Sequence, residues 1–277
     1  MSAPLPAVLD RLRGADHLVL ALDFDGTLAP IVGCPELAAI PDQTVALLRN
    51  LAASENVSLV ILSGRSISDL QSRAGVDCIL AGNHGLEIEG GGISFVHECA
   101  GTMRHAVDCA CWDLEAALAG VRGVLVERKG LTATVHYRQV PVDLQGWLEA
   151  AVGLTMRRYD SRLSLRPARK AWEVLPRIDW NKGSALLFVL RCLAGERPLV
   201  ICAGDDVTDE DMFRAVPEAI SIQVGGRSPT AARYHLNGPA QLAAFLENLL
   251  SAVRAVSLPD DSGDLIPVGR RAGQGIH

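Results

Sequence analysis

The chain has 277 residues, 49% of them apolar, with 26 Lys and Arg against 32 Asp and Glu and a formal net charge of -6. That length allows one large or two modest domains, and the apolar content is enough to fill their cores. The negative balance argues against nucleic acid or an anionic membrane surface as partner, so an anionic substrate needs a local cationic pocket or a bound metal.

The N-terminus, MSAPLPAVLDRLRGADH, lacks the apolar stretch of a signal peptide, and no later run reaches membrane-spanning length. A cytoplasmic protein is expected. LVLALDFDG (18–26) opens the regular structure as a strand. Its unbroken apolar run suits a parallel sheet covered on both faces. PDQTVALLRNLAAS (41–54) has helical periodicity, with Pro41 suited to the first turn. VSLVILSGR (57–65) and CILAGNHG (78–85) read as further strands, with a helix between them.

From 86 to 176 the pattern changes. A helix over about 102–119 precedes GVLVERKGLTATVHYRQVP, two alternating strands joined by a turn near Lys129 and Gly130. A helix over 142–156 is followed by the strands LSLRPA and KAWEVLP. The main pattern resumes with a helix over about 183–194 ended by Gly195, the strands PLVICAGDD (198–206) and AISIQVGG (219–226), and a helix over 240–255. Strands separated by helices predict an α/β domain with a parallel sheet, interrupted by an α+β insert. The expected layout is core 1–101, insert 102–176, core 177–256 and a mobile tail 257–277.

Seven cysteines, at 34, 78, 99, 109, 111, 192 and 202, show no CxxC spacing. They are expected to be reduced thiols, with Cys78, Cys192 and Cys202 in apolar runs of the core and the CAC at 109–111 as helix filler.

The polar clusters fall at the C-terminal ends of the first, second and fourth core strands, where open α/β sheets bind ligands. Asp23 and Asp25 lie two apart, with a bend expected at Gly26. In GDDVTDEDMF, Thr208 suits a helix N-cap with Asp211 three residues on, which sets Asp205, Asp206 and Asp209 at a strand-to-helix turn. So many carboxylates repel unless a hard divalent cation sits among them, and Mg²⁺ suits oxygen ligands while keeping sites for phosphate and water. Lys182 supplies an ammonium, and Ser63 with Gly64 a hydroxyl and backbone N–H groups for phosphoryl oxygens. These are the parts of phosphoryl transfer through an aspartyl-phosphate.

In this order, DFDGT, SGR, the lysine of NKG and GDDVTDED resemble the four motifs of the haloacid dehalogenase-like phosphatases. The resemblance implies a three-layer, Rossmann-like α/β core with a C2-type cap inserted between the second and third motifs. Carried over, Asp23 is the nucleophile and Asp25 the acid and then the base. Ser63 and Lys182 bind the phosphoryl group. Asp23, the backbone carbonyl of Asp25, and Asp205 hold Mg²⁺, supported directly or through water by Asp209. DFDGTLAPI, AGNHGLEI, ERKGLTATVHYR, EVLP and GDDVTDEDMF further resemble the trehalose-6-phosphate phosphatase family. That implies Mg²⁺-dependent hydrolysis of a small sugar phosphate, trehalose 6-phosphate, to trehalose and phosphate. Glu127, Lys129, Arg169 or Lys170, and Glu173 would bind the sugar from the cap, Asn83 and His84 would lie on the core side near the cleft, and Ser63, Gly64 and Arg65 are further substrate-binding positions. Leu175 stands where members often carry a basic residue, and Ala168 where a glycine usually precedes the cap lysine, which leaves Arg169 and Lys170 both open. The same core would serve another glycosyl phosphate, such as glucosylglycerol phosphate or mannosyl-3-phosphoglycerate. A mutase would tend to carry a helical cap after the first motif, and a non-catalytic sensor would lack Asp23 or Asp25. The oligomeric state is not legible.

Overall fold

A computed structural model describes residues 5–33, 35–193, 197–226 and 229–257. Its first half contains helix α1 (Leu5–Leu12), strand β1 (His17–Asp23), α2 (Asp42–Ala52), β2 (Val57–Leu62), α3 (Ile67–Ala74), β3 (Ile79–Gly82), β4 (Glu87–Gly90) and β5 (Ile93–Val96). Then come α4 (Glu98–Ala117), β6 (Leu125–Arg128), β7 (Ala133–His136), α5 (Val142–Met156), β8 (Leu163–Ala168) and β9 (Ala171–Pro176). The chain closes with α6 (Lys182–Cys192), β10 (Pro198–Gly204), α7 (Glu210–Ala215), β11 (Ile220–Val224), β12 (Tyr234–Leu236) and α8 (Pro239–Ser257).

The larger sheet has eight strands in the order β12-β11-β10-β1-β2-β3-β4-β5. Strands β12 through β3 pair in parallel, and β4 and β5 extend the edge as an antiparallel hairpin. β1 lies near the middle and is apolar on both faces for that reason. Leu18, Leu20 and Leu22 pack into the layer formed by α1, α2, α3 and α8, while Val19 and Ala21 pack against α6 and α7. Fully burying side chains of that size contributes about 1.5–3 kcal/mol each, so the three-layer core is held mainly by this double coverage.

The smaller sheet has four strands in the order β6-β7-β9-β8, all antiparallel. Cross-strand partners share a face. Val126, Val135, Trp172, Ala133, Val174 and Leu165 pack with α4 and α5 into a separate apolar cluster. The opposite face carries one polar row, Glu127–Thr134–Glu173–Arg166, running from β6 to β8.

Several expectations need correction. The hairpin β4–β5, inside the expected core 1–101 but not read as strands, extends the main sheet, and helix α4 begins at Glu98, ahead of the expected 102. Helix α6 ends at Cys192, short of the expected 194, and Gly195 and the tail from 258 lie outside the described residues. Cys111 and Cys202 are buried, but Cys192, expected in the core, is exposed. Cys34 lies outside the described residues. No helix among the described residues is long and apolar enough to cross a membrane.

Candidate active site

β1 ends at Asp23, which is buried, and the next side chain, Phe24, is fully buried. Phe24 pins the turn that follows. Its carbonyl accepts the N–H groups of Leu28 and Ala29, and Gly26 N–H closes the loop on the Ala29 carbonyl. Gly26 adopts φ +85°, and a Cβ there would lie 2.2 Å from the Asp205 carboxylate. A glycine is therefore needed both for its backbone conformation and for the close approach of the two acidic loops.

The second acidic loop caps itself. The cap of the 3₁₀ turn Val207–Asp209 that leads into α7 is Asp206, and not Thr208. The Asp206 side chain accepts the Asp209 N–H, and the Asp209 side chain accepts the Asp206 N–H, the reciprocal arrangement of a capping box. Asp209 is fully buried. Its Oδ2 accepts N–H from Asp205 and Asp206, both at 2.9 Å, and its Oδ1 accepts from Lys182 Nζ at 2.7 Å. Lys182 also donates to Asp23 Oδ1 at 2.6 Å. Lys182 begins α6, capped by Asn181, whose side chain accepts Ser184 N–H at 2.9 Å. An ammonium at a helix N-terminus opposes the helix dipole, so the two carboxylates must overcome that as well as burial.

One oxygen from each of Asp23, Asp205 and Asp209 falls within a span of 4.8 Å. Three carboxylates thus share one ammonium. Burial foremost, then Asp209, pushes the Asp23 carboxyl well above its ordinary range. Burial, then Asp209 and Asp206, pushes Asp205 up to about 7. Burial opposes charge on Lys182, but Asp209 and Asp23 outweigh it and raise its pKa, so we take Lys182 as charged. Both shifts show that ionising Asp23 and Asp205 together with Asp209 is costly without further positive charge. Asp23 Oδ2 is buried with no hydrogen-bond partner among the described residues. An orphaned carboxylate oxygen, hard oxygen donors and uncompensated charge fit a divalent cation.

At the end of β2, Ser63 is buried, and its Oγ accepts the Arg65 N–H at 3.2 Å. Arg65 is itself buried and turned to carboxylates. Its Nε and Nη2 donate to the two oxygens of Asp25, each at 2.7 Å, and its Nη1 to Asp69 at 2.5 Å. The Asp25 carboxylate therefore points at Arg65. After β3, Asn83 and His84 take φ of 50° and 59° in a tight turn. Asn83 is fully buried. Its amide donates to Glu87 and to the Lys129 carbonyl, and its Oδ1 accepts from Thr132. His84 Nε2 lies 3.0 Å from Glu173. Burial would raise the Glu173 carboxyl, but His84 and then Lys129 outweigh it and lower it to about 2. Lys129 donates to the Gly64 carbonyl at 3.1 Å, and His136 lies 2.7 Å from Glu127. These bonds join the polar face of the smaller sheet to the ends of β2 and β3.

A cavity of about 1410 Å³ lies between them. Of the predicted site residues it is lined by Asp23, Asp25, Ser63, Gly64, Arg65, His84, Glu127, Lys129, Arg169, Lys170, Glu173, Lys182 and Asp205. Asn83 and Asp209 stand behind the lining and brace it. Lys170 turns outward to Gln145, at 3.3 Å. Thr134 and Arg166 also line the cavity and escaped the sequence reading, although the alternation in TATVH and LSLRP places them on the face of Glu127 and Glu173.

The three-layer core, with acidic loops after β1 and β10, has the fold of haloacid dehalogenase-like hydrolases. The family model for trehalose-phosphatase matches residues 21–240. A trehalose-phosphate phosphatase of Mycobacterium tuberculosis is 36% identical over 269 residues, covering 92% of this chain and 68% of that one. A crystal structure of a trehalose-6-phosphate phosphatase related protein aligns with TM-score 0.74 and 26% identity, over 84% of this chain and 97% of that one. The C-terminal domain of a C. albicans trehalose-6-phosphate phosphatase has the same fold, with TM-score 0.74 and 24% identity over 89% and 96% of the two chains. The chain belongs to the trehalose-phosphatase family.

Proposed function

We propose that the chain hydrolyses trehalose 6-phosphate to trehalose and phosphate in two half-reactions on Asp23. The observation that carries this reading is the buried, unpartnered Asp23 Oδ2, beside the Lys182 ammonium, at the foot of a cavity roofed by polar side chains. In the first half-reaction a carboxylate oxygen of Asp23 attacks phosphorus, the bond to the sugar oxygen breaks, and Asp25 gives that oxygen a proton. In the second, water attacks the same phosphorus, the bond to Asp23 breaks, and Asp25 takes the proton from water. Lys182, the Ser63 hydroxyl and the Gly64 N–H hold the phosphoryl oxygens.

Mg²⁺ is the cation we infer, with Asp23, the Asp25 carbonyl and Asp205 as its protein ligands and Asp209 behind them. When bound it neutralises charge on the transferring phosphoryl group. Residues 102–176 serve as the cap over a core of 1–101 and 177–256, and the polar row Glu127–Thr134–Glu173–Arg166 meets the sugar hydroxyls, which need paired donors and acceptors. We further infer a cytoplasmic enzyme acting on a small sugar phosphate, with no nucleic-acid partner.

Phosphate release from a panel of sugar phosphates, with Mg²⁺ and with chelator, tests the reading. Trehalose 6-phosphate should be preferred, Mg²⁺ required, and Asp23→Asn inactive though folded. Preference for another glycosyl phosphate would displace the substrate, and Asp23→Asn within about tenfold of the parent would displace the nucleophile.

A further inference from the structure

The sequence places Arg65 among the groups that face a substrate, but the structure gives its guanidinium a different occupation. Two of its N–H groups engage both oxygens of Asp25 side by side, each at 2.7 Å. This two-pronged geometry is the strongest that an arginine makes with a carboxylate. The guanidinium is itself anchored. Nη1 donates to Asp69, which also accepts from Arg73 Nε at 2.7 Å, and the Phe24 ring lies 5.1 Å from the guanidinium carbon. Asp69 belongs to the first turn of α3, so the anchor is fixed to the core. The two partners differ in freedom: the Arg65 side chain is 8% exposed and the Asp25 side chain 44%. Asp25 also directly precedes Gly26, in a loop outside the regular strand. Arg65 is therefore a fixed post and Asp25 the group it holds.

A carboxylate gripped through both oxygens is held in one orientation. Each of its oxygens keeps a second lone pair, so a water proton can still be taken. That is the task of the second half-reaction, the one step that calls on Asp25 when the leaving group needs no proton. We propose that Arg65 is a positioning residue that fixes the Asp25 carboxylate as the proton acceptor for hydrolysis of the phosphorylated Asp23. The inference rests on the two-step reading above. In the step concerned, water oxygen bonds to phosphorus, the phosphorus–oxygen bond to Asp23 breaks, and the water proton passes to Asp25.

Arg65→Gln should therefore slow the second step and spare the first. With p-nitrophenyl phosphate, whose leaving group departs without a proton, kcat should fall by about tenfold or more, with KM falling in parallel so that kcat/KM holds within about threefold. Rapid mixing should show a burst of p-nitrophenol of about one equivalent per site before slow turnover. Arg65→Lys keeps the charge but loses the two-pronged grip, so it should show the same split in weaker form, and it decides the matter if Arg65→Gln does not fold. An unchanged kcat, or an equal fall in kcat and kcat/KM without a burst, overturns the inference. Parent enzyme and Asp23→Asn are run alongside. If the parent releases no phosphate, or Asp23→Asn stays active, the two-step reading itself has failed; if both behave as expected, a missing burst counts against Arg65 alone.

Discussion

Lys182→Met removes the ammonium between Asp23 and Asp209 while keeping most of the side-chain volume. Lys182 is 2% exposed and makes bonds of 2.6 and 2.7 Å to those carboxylates. Stripping one partner from a buried ion pair costs about 3–5 kcal/mol, because the remaining charge stays buried. The cavity opens on the Asp23 side and lets water relieve part of this, so about 3 kcal/mol is expected. At about 2–4 °C per kcal/mol for a chain of this size, the melting temperature in chelator should drop by roughly 6–12 °C. The loss should be greater at pH 8 than at pH 5, since the stranded carboxylates can take up protons at the lower pH. Scanning fluorimetry in EDTA at the two pH values measures this. A drop below about 2 °C, or the same drop at both pH values, would refute the charge argument; the second outcome would assign the effect to packing of the lysine stem.

Three further outcomes are expected. Glu173→Ala should raise KM for trehalose 6-phosphate far more than for p-nitrophenyl phosphate, and equal effects on both would mean that Glu173 does not contact sugar. In chelator, the parent protein should lose stability as pH rises. Asp205 has its folded pKa raised to about 7 from an ordinary 3.8, so its contribution is complete below about 4 and gone once pH passes 7. Urea midpoints at pH 5 and 8 read this slope, Mg²⁺ should restore the loss at pH 8, and Asp205→Asn should flatten the slope; an unflattened slope points to other groups. Gly26→Ala should cost about 1–3 kcal/mol in backbone strain and weaken Mg²⁺ binding by displacing Asp205, and calorimetry showing unaltered affinity would contradict the close packing of the two loops.

What could be read from the chain follows from burial. β1, β2 and β10 are covered on both faces, so each appears as an unbroken apolar run, and the polar residues ending the run mark the site edge. The smaller sheet was legible through alternation, with one face on α4 and α5 and the other on the cavity. Short edge elements were not. β4 and β5 are four residues each and meet through Gly90, Gly91 and Gly92, all at positive φ, so the stretch reads as a loop. β12, with three residues, carries no periodicity to detect. At the site, residue type and spacing foretold which loops meet, but not which way a side chain turns. Asp25 finds Arg65, and Asp206 rather than Thr208 caps its turn, because each answers to neighbours distant in sequence or to local backbone donors that no motif records.

The bonds between Glu173 and His84, Lys129 and Gly64, and Asn83 and Thr132 bear on how the cleft chooses its guest. A hydroxyl reaching Glu173 or Lys129 competes with a partner inside the protein for the best-placed lone pair or N–H, so the gain is less than that of a bond to an uncommitted group. Affinity is thereby lower than a tally of contacts suggests. A bare phosphate ester has nothing to offer in that exchange. Selectivity then comes from what the empty cleft already does with its own atoms.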